Sequence, residues 1–290
     1  MTIRARRLAS AIEPFVGSVY FAPECHAAYA EMGFDPSPKD RGGVPQPDIS
    51  AYFTSRAASM GRVRGHVAAA VFAVFEPQLV LRGIELGWSL TDPATIARVR
   101  VEGAAAQLDR LLGPADRRVE EMAEVLESIT ARLDLAGRPL ASGLVALGPQ
   151  GDGWMRLHWA ADVLREYRGD CHTAAWVAAG LSAPEICLLS DPYRGLAPRT
   201  YSRSRGWSHD ALDGAEVTLR AKGLWDDSGM TADGMALRES IEVATDRSLV
   251  GPVEALAAEM ESVIETMGVW DRAIIGGKGY PSDSPLFRHD

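Results

Sequence analysis

Leu224-Trp225-Asp226-Asp227-Ser228-Gly229-Met230-Thr231 carries the chemistry of a tight hairpin, with its turn at Asp-Ser-Gly. Before it, Gly206-Trp207-Ser208 opens a helix that Ser208 can cap. Leu212, Ala215, Val217 and Leu219 form the apolar stripe of that helix, and Gly223 ends it. After the hairpin, Thr231 can cap a further long helix. The order is therefore helix, short hairpin, helix. A last helix is expected over roughly 252–267, with Val253, Leu256, Met260, Val263 and Met267 at helical spacing. That stripe can pack on its own chain or form the seam of a homodimer.

Upstream lies the densest run of ionisable groups, Leu164-Arg165-Glu166-Tyr167-Arg168-Gly169-Asp170-Cys171-His172. Asp152 can cap a helix whose apolar positions Trp159, Ala160, Val163, Leu164 and Tyr167 follow the 3.6 period. Gly169 stands where a C-terminal cap is expected, so Cys171–Ala179 reads as a second short helix closed by Gly180. At about 100° per residue, Arg165 faces solvent and Glu166 falls at the edge of the stripe. His172 and Trp176, four apart, share a face. Groups at such an edge either pair, as Arg168 with Asp170, or perform chemistry.

The first half reads as helical. Residues 8–34 form helices interrupted at Pro14 and Pro23, and 35–49 form a loop rich in proline and glycine. An apolar helix Val63–Phe75 stops before Pro77; Asp92-Pro93 starts a helix through Leu112; an acidic amphipathic helix covers roughly Asp116–Leu135. Gly137 to Gly153 is rich in glycine and proline, which places a domain boundary there and divides the chain into 1–145 and 146–290.

Composition narrows the class. The chain has 290 residues, 47% hydrophobic and 24% charged, enough for a sizeable core. Lysine occurs only as Lys39, Lys222 and Lys278 and asparagine is absent, a bias of the kind GC-rich bacterial genes carry. Cys25, Cys171 and Cys187 have neither disulfide-framework nor zinc-finger spacing. No signal-peptide core follows Met1–Arg7, and the longest apolar run, Val67–Phe75, is too short to span a bilayer, so a cytoplasmic protein without membrane contact is expected. A net charge of −9 disfavours nucleic acid as a partner.

Ala221-Lys222-Gly223-Leu224 and Met230-Thr231-Ala232-Asp233-Gly234 resemble the corresponding turns of MarR-type regulators. Together with Y-F-A-P-E at 20–24, Y-F-x-S-R-A-A-x-M-G at 52–61, L-R-E-Y-R-G-D-x-H at 164–172, R-G-W-S at 205–208 and T-D at 245–246, the chain resembles a bacterial family of helix-turn-helix proteins over essentially its whole length. The resemblance implies a mostly α protein: an N-terminal helical domain joined to a MarR-like winged helix with a short β-hairpin wing. Fold does not by itself imply function. From Trp207 to Asp246 nine acidic residues face three basic ones, Arg220, Lys222 and Arg238. A reading helix and wing must approach phosphates, and this wing carries Asp226 and Asp227 at its tip.

The favoured function is therefore small-molecule binding, with or without acid–base catalysis, between the N-terminal helices and the 164–172 segment. His172 would be the acid or base, oriented by Asp170 or Glu166. Arg168 and Arg56 would anchor an anionic or carbonyl group. Tyr20, Tyr52, Phe53 and His66 could line the pocket beside Arg56, and Trp159, Trp176, Trp207 and Arg205 could complete it. A metal would need Glu24, His26, Asp170 and His172 to converge. No phosphate loop, nucleophile elbow or dinucleotide fingerprint is present, and nothing names a cofactor. The rival is a ligand-responsive dimeric regulator that reads DNA.

Overall fold

The computed structural model describes residues 2–37, 40–254, 259–282 and 284. Helix α1 spans Thr2–Gly17 and continues through Pro14, because burial of Phe15 and Val16 outweighs the one hydrogen bond proline removes. A 3₁₀ turn, Ser18–Phe21, leads into α2, Pro23–Glu31, with Pro23 at its first position as expected. Asp48 caps α3, Ile49–Ala57, which runs into a second 3₁₀ turn, Ala58–Met60. Helix α4, Gly65–Val71, is shorter than expected. Pro77 is a start as well as a stop: it opens α5, Pro77–Leu90, capped by Glu76.

Asp92 and Gly113 bound α6, Pro93–Leu112, and Asp116 caps α7, Arg117–Thr130. The glycine- and proline-rich segment after it contains a helix, α8, Pro139–Leu147, so the expected boundary at 145 falls inside an element. Next comes α9, Trp154–Ala178, one uninterrupted helix of 25 residues. The expected corner at Gly169 does not exist. Glycine in a helix interior costs only about 1 kcal/mol, and burial of Leu164, Tyr167 and Cys171 on one face exceeds that.

The second half continues with α10, Ala183–Tyr193, its capping box formed by Ser182 and Glu185. Then follow α11, Tyr201–Ser204, and α12, His209–Ala221, capped by Ser208. Strands β1, Trp225–Asp226, and β2, Gly229–Met230, pair antiparallel with Trp225 opposite Met230. Thr231 caps α13, Ala232–Arg247; α14 is Val250–Glu254 and α15 is Met260–Gly276. The structure is thus mostly helical with one small hairpin. Among the described residues no single helix is long and apolar enough to cross a membrane.

Everything is arranged about α9, which touches α1, α6, α7, α8 and α13. The largest core cluster joins Leu8, Ile12 and Phe15 of α1 to Leu126, Leu157, Leu164 and to Val263 and Met267 of α15, and so draws on both sides of residue 145. Of the terminal stripe, Val253, Met260, Val263 and Met267 are buried in their own chain, and Leu256 lies outside the described residues. A separate core of Leu188, Leu189, Leu212, Leu219, Trp225 and Ile241 seats α10, α12 and the hairpin. Val217, expected within that stripe, is instead 68% exposed.

Candidate functional site

Three sequence motifs far apart in the chain meet on one face of α9. Arg56 from α3 donates both hydrogen bonds of one amino group to Glu166, at 2.9 and 2.8 Å, and a third from its other amino group to the Tyr52 hydroxyl at 3.0 Å. Arg165 donates to the same carboxylate at 2.8 Å, to the Tyr20 hydroxyl at 3.1 Å and to Glu13 at 2.9 and 3.0 Å. Arg165 therefore does not face solvent: it reaches sideways across α9 to α1. One turn earlier, Asp162 accepts from Arg100 of α6 at 2.6 Å. The guanidiniums of Arg56, Arg100 and Arg165 stand 6.0, 5.7 and 5.4 Å from the Tyr20 ring centre.

The electrostatics follow from burial and pairing. Burial alone would depress the Arg56 pKa, but Glu166 reverses this and holds it well above the usual value. Arg100 is treated likewise by Asp162. Burial raises the Tyr20 phenol against the pull of three guanidiniums. His158, one turn before Asp162, is pushed down to about 4 by burial, which keeps it neutral. Removing one member of such a buried pair costs roughly 3–5 kcal/mol, because the survivor is left uncompensated.

Beside this cluster lies a cavity of about 30 Å³. Arg56, Arg100, Asp162 and Glu166 form its polar side, and Trp159 with Leu140, Leu144 and Leu147 form its apolar side. Three buried atoms among these residues have no hydrogen-bond partner: Nε of Arg56, Nε of Arg100 and Oδ1 of Asp162. Buried donors and acceptors rarely remain unpaired. A group that accepts from two of these atoms and donates to the third fits the chemistry of the space.

A second charged cluster lies further along α9 and points elsewhere. Arg168 donates to Glu242 at 2.5 Å and to Asp246 at 3.1 Å on α13, not to Asp170. Asp246 also accepts from Arg6 of α1 at 2.7 Å. Nδ1 of His172 lies 3.2 Å from the Thr245 hydroxyl and 3.9 Å from Glu242. Burial and the guanidiniums of Arg238 and Arg168 push His172 down to about 3. Burial works against Glu242, yet Arg238 and Arg168 draw it to about 2. The expected acid–base pairing of His172 with Asp170 or Glu166 is therefore absent. Asp170 and His172, two apart on one helix, point to opposite sides of it, and Glu166 lies nearly two turns before His172. Asp170 instead accepts from the backbone N–H groups of Leu140 and Ala141, at 3.1 and 3.2 Å, capping α8 from outside. Burial raises Asp170 to about 7.

The other expected residues divide. Tyr20, Tyr52, Arg56, Glu166 and Trp159 meet at the first cluster or its cavity. Phe53 is core, packed on Phe72 and Phe75. Trp176 is buried in the core of α10 and α12. Trp207 donates to the Val74 carbonyl at 2.9 Å. Arg205 stacks over Tyr201 and Phe75. His66 is exposed. Glu24 pairs with Arg110 and His26 bonds the Tyr20 carbonyl, and among the described residues no three His, Cys, Asp or Glu gather as a metal site. Arg100, Asp162 and Glu13 were not legible as site residues. The available signal was His158, Asp162 and Glu166 at spacings of four, a polar stripe inside an apolar helix.

Helices α10 and α12 pack directly on each other, α11 lies against α10, and all three precede the hairpin. Three cations beside α12 are engaged locally, Arg199 with Asp213 and Glu216, Arg220 with Glu216 and Asp227, and Lys222 with Glu185, while Arg203 of α11 is exposed. The exposed surface of α12 and the hairpin turn carries Asp210, Asp213, Asp226 and Asp227 around Val217. No curated protein and no solved structure matches the chain. A family model described as a helix-turn-helix family matches residues 5–281, and the chain belongs to that family.

Proposed function

We propose that this helix-turn-helix protein binds a small molecule at the interior cluster between α3, α6, α8 and α9, and that α12 does not read DNA. The observation that carries the reading is the convergence of Tyr20, Tyr52 with Arg56, and Arg165 with Glu166 beside a cavity whose polar wall holds unpaired atoms. Acid–base chemistry by His172 is not part of the reading, because His172 turns toward Thr245. The test is a small-molecule panel scored by thermal midpoint on the full chain. Compounds that bind only the native state raise the midpoint. The reading expects hits whose shift disappears in Asp162→Asn; a panel whose hits shift both proteins equally contradicts it.

Membership of a helix-turn-helix family is compatible with a second reading, DNA binding, whose finer form we propose as a ligand-responsive MarR-like regulator with the hairpin as its wing, acting as a homodimer. In that case α9 would relay the signal, since Glu166 touches the interior cluster and Arg168 touches α13. Selection from random duplex at about 150 mM salt separates the two. A site held in the nanomolar range typical of specific readers establishes the regulator, and light scattering gives its assembly state.

A further inference from the structure

We propose that the interior site takes an uncharged head group, a hydroxyl or primary amide on an apolar body, and that α8 is the wall that yields to admit it. This rests on the reading of the cluster as a binding site and names the class of ligand and its way in.

Charge decides the class. Arg56, Arg100 and Arg165 are matched within the cluster by Glu13, Asp162 and Glu166, each joined by a hydrogen bond. The sum is zero. A carboxylate or ammonium entering here would bring a net charge to a place where Asp162 and Arg100 keep only 2% and 6% of their side-chain surface exposed. The anionic ligand expected for Arg56 is thus unnecessary, since Glu166 already fills that role. What remains free is two donors, Arg56 Nε and Arg100 Nε, and one acceptor, Asp162 Oδ1. A hydroxyl, with one hydrogen and two lone pairs, is the complement, and a primary amide supplies the same functions.

Space decides the route. About 30 Å³ holds one such group and not the body attached to it. The apolar wall is Leu140, Leu144 and Leu147 of α8. This helix has nine residues and is flanked by Gly137 and Gly148, both in the left-handed region at φ 72° and 68° with no side chain or backbone crowding them. Three polar ties hold it and its N-cap to α9: the Asp170 carboxylate on the N–H groups of Leu140 and Ala141, the Trp159 indole on the Leu144 carbonyl at 2.8 Å, and Arg138 Nε on the Cys171 sulfur at 3.2 Å. Gly143 also packs closely on the Ser59 carbonyl, a contact that must part as α8 moves. Swinging α8 about its two glycines exposes an apolar trough above the polar floor.

The test uses the full chain and four probes with one ring and different heads: benzyl alcohol, benzamide, benzoate and benzylamine. Calorimetry gives the affinities, and amide hydrogen exchange over 139–148 reports on α8. The expected result is at least tenfold tighter binding of the alcohol and the amide than of either ion, with altered exchange confined to α8. Asp162→Asn gives the cluster one net positive charge, so benzoate should then gain while benzyl alcohol weakens; Glu166→Gln makes the same change if Asp162→Asn does not fold. Tighter benzoate than benzyl alcohol in the unmodified chain overturns the ligand class and leaves the site reading standing. No binding by any probe, with exchange over 139–148 unchanged, overturns both.

Discussion

Two charged clusters sit within one stretch of α9, and they enclose different things. Around Glu166 and Asp162, guanidiniums and carboxylates pair beside a cavity, and three buried polar atoms stay open. Around Arg168 and His172, the charges close on α13 and α1, with Asp246 wholly buried between Arg168 and Arg6, although Arg168 Nε is likewise without a partner. Both look equally functional by residue type. The difference lies in what they hold: the first borders the small cavity of about 30 Å³, whereas the second fastens three helices, although Arg6, Glu239 and Asp246 also border a wider cleft of about 520 Å³. Ion pairs that fasten helices are measured by stability, and those that line a space by affinity.

The sharpest way to break this contrast is Asp246→Ala. It leaves both the half-buried Arg168 and Arg6 with one carboxylate fewer, and the expected loss is about 3–5 kcal/mol in chemical denaturation. A loss below 1 kcal/mol would mean that the second cluster does not fasten the fold. Arg165→Ala comes next. It unpairs Glu13 and the Tyr20 hydroxyl and takes from Glu166 one of its two guanidiniums, and should cost about 1–3 kcal/mol. A solvent-facing arginine would give under about 0.5 kcal/mol.

The pH dependence separates two residues that are neighbours in sequence. Asp170 is raised to about 7 in the folded protein, from 3.8. The folded state then holds its proton more tightly than the unfolded chain, so its contribution is full below about 4 and lost as pH rises to 7. His172 is lowered to about 3 from 6.5. The unfolded chain then takes up the proton first, so its contribution is full above 6.5 and lost as pH falls toward 3. Denaturation curves at pH 4.5 and 7.5 should show Asp170→Asn improving relative to the unmodified protein at the higher pH. His172→Gln should improve relative to it at the lower pH. Parallel curves for either variant would remove that group from the pH response.

The smallest effect belongs to Gly169→Ala. A Cβ there meets only the Glu166 carboxylate at 3.8 Å, and the residue is exposed in mid-helix. The expected change is a gain of about 0.5–1 kcal/mol. A loss would restore a special backbone role for this glycine.

Some helix starts were legible from their side-chain caps, at Asp92, Asp116, Ser208 and Thr231, and the hairpin at Asp-Ser-Gly followed from turn chemistry alone. Those at Asp48, Glu76 and Ser182 were not, and Asp152, expected to cap α9, does not do so: the cap position is Gly153. Gly169 misled because a lone glycine after an apolar stripe reads equally as a cap or as an exposed interior position, and only packing chooses. Arg165 misled for a related reason: angular position fixes where the Cβ points, while a guanidinium five bonds further out reaches a neighbouring helix. At the site, Tyr20, Tyr52, Arg56 and Glu166 stood out by motif, and Arg56 was expected to anchor an anionic or carbonyl group. Which group, and the place of Arg100 and Asp162 in the same cluster, depended on how α3 and α6 lie against α9. No local pattern encodes that.

The most direct test of the contrast is the affinity of one hit from the small-molecule panel, measured by calorimetry on the unmodified chain, Asp162→Asn and Asp246→Asn at a temperature where all three are folded. Asp162 lines the cavity and Asp246 fastens α1, α9 and α13. The account predicts at least a tenfold loss of affinity for an uncharged ligand in Asp162→Asn and an unchanged affinity in Asp246→Asn. Equal losses in both, or a loss confined to Asp246→Asn, would contradict it.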